Sequence, residues 1–317
     1  MKYIETFKEG EKVKGVYLCK KRISATTKAG KQYEILLLQD KTGTVDAKIW
    51  NPGTPAFDDF APMDYISVLG EVTTFLGSLQ FNLLRATKAL DNTFDPSDYM
   101  PTSEFPIEDM FSQLMQIMDS VKNPYLQQLL KSFFVDDKEF VTEFKVHSAA
   151  KSVHHGFRGG LLEHTLGVTK LADTFSTNYP ILNRDLLVTG AILHDIGKVE
   201  ELSQMPENDY TDVGNLLGHL VIGSEMIGNR IKTIEGFPKE LGLELQHCIL
   251  SHHGELEYGS PKKPELAEAV ALHFADNVDA SMETVKELLR AEPQSGNWMG
   301  YQKLFDSNFR KTTTGEK

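Results

Sequence analysis

Four residues carry the clearest chemistry in this chain: His164, the adjacent pair His194-Asp195, and Asp276. His164 lies in Leu161-Leu162-Glu163-His164-Thr165-Leu166-Gly167-Val168, where its helical neighbours Leu161, Val168 and Leu171 are apolar. His194-Asp195 follow Leu187 and Ala191 at four-residue spacing, and Asp276 follows Ala269 and Leu272 on one stripe. A carboxylate on such a face carries a heavy burial penalty unless it is paired. A lone histidine on a helix is usually a core or surface residue, so the argument rests on several being aimed inward together. Two imidazoles and two carboxylates in one helical bundle suit a hard or borderline divalent cation. A structural zinc site would more often recruit cysteine, and neither Cys19 nor Cys248 falls in the pattern.

The order His…His-Asp…Asp resembles the HD superfamily of metal-dependent phosphohydrolases. Its signature is nearly verbatim in Gly190-Ala191-Ile192-Leu193-His194-Asp195-Ile196-Gly197-Lys198. The downstream element is Leu272-His273-Phe274-Ala275-Asp276-Asn277-Val278-Asp279, and the likeness spans roughly residues 145–290. It implies phosphoester hydrolysis with divalent metal, by two ions in the two-metal members. Carried over, Asp195 bridges, and His164, His194 and Asp276 hold one ion. His219, after Leu216-Leu217-Gly218, and His252, in Ser251-His252-His253-Gly254, hold the other. His253 is an alternative or additional ligand, and a role as outer hydrogen-bond donors is the bland reading of all three.

Two cations a few ångströms apart acidify a water and hold a phosphate oxygen for in-line displacement. Lys198, one turn after His194, either neutralises charge on that phosphate or is a solvated helix-end lysine. Arg158 sits in His154-His155-Gly156-Phe157-Arg158-Gly159-Gly160, just ahead of the His164 helix. The paired glycines are expected to leave backbone N–H groups free at a helix N-terminus, where phosphate binds well. His154 and His155 either donate to a leaving oxygen or cap the loop.

Apolar spacing predicts the helices that must position these groups: 105–122, 124–134, 136–147, 161–175, 184–193, 218–234, 241–251, 264–279 and 282–289. The first ninety residues read differently. Val13–Leu18, Gln32–Gln39, Val45–Trp50, Tyr65–Thr74 and Leu79–Ala86 are short β-rich stretches separated by glycine-containing turns. Five such strands suit a small closed barrel. The segment Leu36-Leu37-Leu38-Gln39-Asp40-Lys41-Thr42-Gly43-Thr44-Val45 resembles the hairpin of OB-fold nucleic-acid-binding domains. The expected architecture is therefore multidomain: an OB-fold barrel at 1–90, a proline-containing linker and connecting helices at 91–145, an all-α HD domain at 146–290, and a polar tail at 291–317.

Net charge is −12, which alone argues against a polyanionic partner, but the charge is uneven. Residues 1–50 carry 11 Lys and Arg against 6 Asp and Glu, leaving −17 for the rest. A basic module on an acidic body can bind a polyanion locally. Lys20, Lys21 and Arg22 lie in an acid-free run from Lys12 to Lys31. Single strands bind such barrels through basic side chains and aromatic platforms. Tyr33, Trp50, Phe75 and Phe81 are the aromatic candidates, each with a core alternative, since a small barrel needs large apolar side chains inside. No apolar run is long enough to span a bilayer and the N-terminus lacks signal-peptide features. With two cysteines far apart, the expectation is a cytoplasmic protein with reduced thiols and no membrane partner.

An OB-like domain, connecting helices and an HD domain together resemble the YhaM-type 3′→5′ exoribonucleases over almost the whole chain, including Gly159-Gly160-Leu161-Leu162-Glu163-His164-Thr165. That resemblance implies a cytoplasmic bacterial enzyme that removes nucleoside 5′-monophosphates from the 3′ ends of single-stranded RNA, with Mn²⁺ as the favoured ion. Single-stranded DNA is a further candidate substrate, and a homo-oligomer is compatible with the sequence. The competing readings are an HD nucleotidase or cyclic-nucleotide phosphodiesterase whose barrel serves oligomerisation, and a non-catalytic RNA-binding protein.

Overall fold

A computed structural model describes residues 1–75, 77–151, 155–290 and 296–313, without the side chains of 96 and 97. The chain forms two compact units, Met1–Glu104 with Ser203–Asp209, and Phe105–Leu202 with Tyr210–Lys317.

The first unit is built on β1 (Lys12–Thr26), β2 (Gln32–Asp40), β3 (Gly43–Ile49), β4 (Tyr65–Phe75) and β5 (Ser78–Lys88). They close into a barrel in the order β1-β2-β3-β5-β4, with β3 and β5 parallel, the arrangement of an OB fold. Alternation fills it: Leu36 and Leu38, Val45, Ala47 and Ile49, Ile66, Val68 and Val72, and Phe81 and Leu83 all face inward. The hairpin Asp explains itself. The buried Asp40 carboxylate accepts from the backbone N–H and hydroxyl of Thr42 at 2.8 and 2.6 Å, and from the Ile4 N–H at 2.7 Å. It thus clamps the turn and the N-terminal segment together.

β1 runs eight residues beyond the expected stretch. Lys12–Leu18 pair with β4 and Leu18–Thr26 pair with β2, with a bulge between Cys19 and Lys21. The basic run therefore lies within a strand, with Lys20 as the bulged residue. Residues 91–104 are not a free tether either, since Gln39 donates to the Tyr99 carbonyl at 2.9 Å and Tyr65 contacts the rings of Phe94 and Tyr99.

The second unit is helical, and its first three helices join the common core instead of linking two domains: α1 (Ile107–Asp119), α2 (Pro124–Phe134) and α3 (Lys138–Val146). Then come α4 (Gly160–Asn178), α5 (Arg184–Leu193), α6 (Lys198–Glu201), α7 (Asp212–Ile231), α8 (Lys239–Ser251) and α9 (Ala267–Arg290). Several starts are written in the sequence. Asn123, Asp137, Asn183 and Thr211 each cap a helix with a side-chain oxygen on an early N–H. Around the site α4 packs on α5 and α9, and α8 packs on α5, α7 and α9. Small side chains, Ala172, Ala191, Ala269 and Ala275 among them, let α4, α5 and α9 approach closely behind it. The last two expected helices are one, α9. The C-terminal tail includes a hairpin of β6 (Trp298–Gln302) and β7 (Ser307–Arg310). Cys19 and Cys248 are free buried thiols in the two separate cores, and burial pushes their pKa up to about 11 and about 12. Among the described residues no helix is long and apolar enough to cross a membrane.

Candidate metal centre and nucleic-acid interface

Two helices end at the candidate centre on histidine. His194 caps the C-terminus of α5 and His252 that of α8, a position at which the last-turn carbonyls lack helical partners. Each ring answers that deficit: His194 Nδ1–H donates to the Ala191 carbonyl and His252 Nδ1–H to the Ile249 carbonyl, both at 2.8 Å. His194 thus sits fully buried at a helix end, directly after the helix expected over 184–193. Three further rings are tied the same way. His164 Nδ1–H donates to Asp279 Oδ2 at 2.7 Å, His219 Nδ1–H to Glu201 Oε1 at 2.9 Å, and His253 Nδ1–H to the Tyr258 carbonyl at 2.9 Å.

With Nδ1 committed as donor, each Nε2 is the position left to meet a cation or a proton, and these atoms converge. His164 Nε2 and His194 Nε2 are 3.2 Å apart, as are His219 Nε2 and His253 Nε2. Two lone pairs facing each other at that distance repel unless a positive charge lies between them. Asp195 stands between the two pairs. Its Oδ2 is 3.4 and 3.3 Å from His164 and His194 Nε2, and its Oδ1 is 3.5 and 3.7 Å from His219 and His252 Nε2. Asp276 Oδ1 completes the first half at 3.1 Å from His164 Nε2. Among the described residues Asp195 Oδ1 is buried without a hydrogen-bond partner, a costly state for a carboxylate oxygen. The donor set of neutral imidazoles and carboxylates fits two divalent cations sharing Asp195. His164, His194, Asp195 and Asp276 would hold one, and Asp195, His219, His252 and His253 the other.

The electrostatics agree with that division. Burial, reinforced by His194 and His253, holds His252 well below the usual imidazole range, and burial with His219 lowers His253, which favours the neutral form of both rings. Burial alone would lower His164 too, but Asp195, Asp276 and Asp279 around it push it well above. Burial would raise Asp195, yet Lys198 and His194 keep it well below the carboxylate range. Without a metal, a proton on His164 and the Lys198 ammonium supply the positive charge that the carboxylates require.

The remaining expected residues are placed as follows. Lys198 does not stand free toward a phosphate: its ammonium lies 2.6 Å from Asp195 Oδ2, and its side chain is largely buried. Arg158 is half-buried two residues before α4, and no hydrogen bond or ion pair joins it to the cluster among the described residues. The free backbone donors expected beside it are absent. The N–H groups of Gly159, Gly160 and Leu161 donate to the carbonyls of Val146, Phe157 and His147. His155 donates through Nε2 to Asp279 Oδ2 at 3.1 Å, while His154 lies outside the described residues. Sequence reasoning missed Glu201 and the role of Asp279. Asp279 was legible as a residue three positions after Asp276 on the same helical face, whereas nothing local marks Glu201.

On the barrel the candidates separate cleanly. Tyr33 and Trp50 stack at the surface, with centroids 5.2 Å apart and planes 22° apart. Lys48 lies over the Tyr33 ring at 5.5 Å, and Asn82 accepts from Trp50 Nε1 at 3.0 Å. These last two were not anticipated; the β2–β3 and β3–β5 registers bring them there. Phe75 is exposed at the end of β4. Phe81, by contrast, belongs to the core: it is fully buried and meets Phe7 and Tyr17 edge-on, so no face is open to a base. Lys21 is exposed and Lys20 half-buried. Arg22 is already engaged, with Nε 2.9 Å from Glu34 Oε2, its guanidinium bonded to the Phe60 carbonyl and stacked 4.2 Å over the Phe60 ring. Its charge neutralises the buried Glu34 and is not displayed to solvent.

Residues 161–281 match the HD domain family. The 3′-5′ exoribonuclease YhaM of Bacillus subtilis (strain 168) is 37% identical over 287 residues, 90% of this chain and 90% of that protein. The protein of the same name from Geobacillus sp. (strain WCH70) is 36% identical over 291 residues, 91% of this chain and 88% of the relative. Among solved structures, the second OB-fold domain of replication protein A from Methanococcus maripaludis aligns with 30% of this chain at 16% identity and a TM-score of 0.25. With more than a third of its residues shared over nine-tenths of both lengths, the chain belongs to the family of YhaM 3′-5′ exoribonucleases.

Proposed function

We propose that the chain is a metal-dependent 3′→5′ exoribonuclease that shortens single-stranded RNA and releases nucleoside 5′-monophosphates. The observation that carries the reading is the buried convergence of Nε2 atoms on the two oxygens of Asp195, one of them without a hydrogen bond among the described residues. The family relationship adds the substrate class and the direction of attack. We further propose Mn²⁺ as the ion, single-stranded DNA as a secondary substrate, and a cytoplasmic site of action.

Bound divalent cations supply Lewis acidity for phosphodiester hydrolysis. The chain's own residues do the rest. Asp195 spans both halves of the centre, and Lys198 keeps it ionised while neutralising part of the carboxylate charge that would repel RNA. In the reaction water adds to phosphorus and the P–O3′ bond breaks. The phosphate leaves on the terminal nucleotide, and the shortened strand keeps a 3′-hydroxyl. Tyr33, Trp50, Lys48 and Lys21 offer a sequence-tolerant platform for the strand on the barrel. Arg158, with no ion pair among the described residues, is a candidate phosphate contact.

The test is end-labelled single-stranded RNA incubated with Mn²⁺ and either the natural protein or Asp195→Ala. A ladder shortening from the 3′ end, lost in the variant, is expected. Hydrolysis of mononucleotides or cyclic nucleotides alone would reject the exonuclease reading.

A further inference from the structure

The candidate centre has two halves, and each is braced by one carboxylate that is not itself among the proposed ligands. On the first half, Asp279 Oδ2 accepts from His164 Nδ1 at 2.7 Å and from His155 Nε2 at 3.1 Å. On the second, Glu201 Oε1 accepts from His219 Nδ1 at 2.9 Å and from the His219 backbone N–H at 3.0 Å. In the other three rings, those of His194, His252 and His253, Nδ1 donates to a backbone carbonyl and not to a carboxylate.

The fold makes special provision for both acids. Gly167, one turn after His164 on α4, faces Asp279: a Cβ there would lie 2.0 Å from Asp279 Oδ1. Any side chain at 167 would therefore displace the carboxylate that orients the ring one turn away. His155 is held with a φ of 57°, a left-handed conformation rare for a residue with a side chain, and it is buried. Its ring lies 5.3 Å from that of His164, and both donate to the same Asp279 oxygen. For Glu201 the device is different. Helix α7 is interrupted at Gly218, whose φ of 73° and ψ of 156° are accessible without strain only to glycine. The break creates a fresh helix start at His219, and the Glu201 carboxylate caps its first N–H while fixing the ring. One acid thus sets both backbone and side chain of His219.

We propose that Asp279 and Glu201 are positioning residues, each serving a different ion, so that the two ions are lost separately when their braces are removed. A carboxylate on Nδ1–H fixes the tautomer, holds the ring plane and makes Nε2 more basic, and loss of such a partner typically weakens metal binding about 10–100-fold. Asp279 acts through His164 on the ion shared with His194 and Asp276. Glu201 acts through His219 on the ion shared with His252 and His253. Asp195, common to both, has no such selectivity. The inference rests on the two-ion reading above.

The experiment measures Mn²⁺ binding to the metal-stripped full chain, by the electron paramagnetic resonance signal of free Mn²⁺, with no RNA present. The natural protein is expected to bind two ions. Asp279→Asn and Glu201→Gln each weaken one of the two about 10–100-fold. A His219→Ala background then separates them. There Glu201→Gln has nothing further to lose, whereas Asp279→Asn still weakens the remaining ion. Gly167→Ala, which keeps the carboxylate and favours helix, should act on the same ion as Asp279→Asn and serves if that variant does not fold. Fewer than two ions in the natural protein overturns the two-ion reading itself. Two ions there, with both braces acting on the same ion or on neither, overturns the assignment of one brace to each.

Discussion

In the helical unit every ring proposed as a ligand has one nitrogen committed to a carbonyl or carboxylate, so only the other is left to act. On the barrel, Tyr33 and Trp50 present ring faces at the surface, and only the Trp50 indole N–H is fixed, by Asn82. The centre is buried, over-determined and intolerant of a wrong angle. The barrel face is shallow and exposed, and its contacts would be few and additive. The difference follows from the tasks. Bond breaking needs charge held where reorganisation is costly, whereas the proposed grip on RNA of any sequence needs surfaces that every base can use and leave. Substitutions in the two regions should therefore fail differently: steeply in the centre, gradually on the barrel.

Removing the metal tests the sharpest form of this contrast. Chelation should remove several kcal/mol of transition-state stabilisation, on the order of 1,000-fold or more in rate. RNA affinity, followed by fluorescence anisotropy, should change little. Cleavage that persists in chelator would break the comparison on the side of the centre. Affinity that collapses with the metal would show that the grip lies there and not on the barrel.

Much of this division was legible in the sequence, for identifiable reasons. The five strands could be read because alternation is local and glycine turns punctuate it. Asp40-Lys41-Thr42-Gly43 could be read because its carboxylate serves the very turn it begins. The four-residue core stood out because ionisable groups on apolar stripes are costly without a shared purpose. What was not legible depends on register and packing. Phe81 and Trp50 both lie in β-rich stretches, but Phe81 pairs with Ala47 inside the barrel whereas Trp50 falls just past the end of β3 and is exposed, a distinction that alternation alone does not make. Arg22 reads as part of a basic run until β2 sets Glu34 beside it. Lys198 could not be distinguished from a phosphate contact before the turn after α5 folded it onto Asp195. Glu201 braces a histidine 18 positions later, across a helix break that no periodicity announces.

The aromatic pair gives the second test. Phe81→Ala should destabilise the protein by about 3–5 kcal/mol, because it empties a fully buried site. Any loss of RNA binding should then track the unfolded fraction in thermal melts. Trp50→Ala removes a ring that is 42% exposed, so stability should barely change. RNA affinity should fall by about 1–3 kcal/mol, the worth of one stacked base. Turnover at saturating RNA should be preserved, which distinguishes a lost platform from a damaged centre. Equal affinity in Trp50→Ala and natural protein would remove the Tyr33–Trp50 surface from the interface.

The smallest effect is expected at the basic run, where Lys21 and Arg22 are neighbours in sequence but opposites in environment. Lys21 is exposed on β1, and if it meets a backbone phosphate its replacement by Ala flattens the salt dependence of RNA affinity by about 0.7 in log–log slope. Stability and turnover should stay unchanged. Arg22 should show the converse. Its removal strands the buried Glu34 carboxylate and the Phe60 carbonyl, a loss of about 3 kcal/mol in stability of the kind seen when a buried pair is broken. The salt slope of whatever protein remains folded should hold. An identical slope change in both variants would mean that Arg22 leaves Glu34 to meet RNA, and the line drawn between structural and displayed charge on this strand would have to be redrawn.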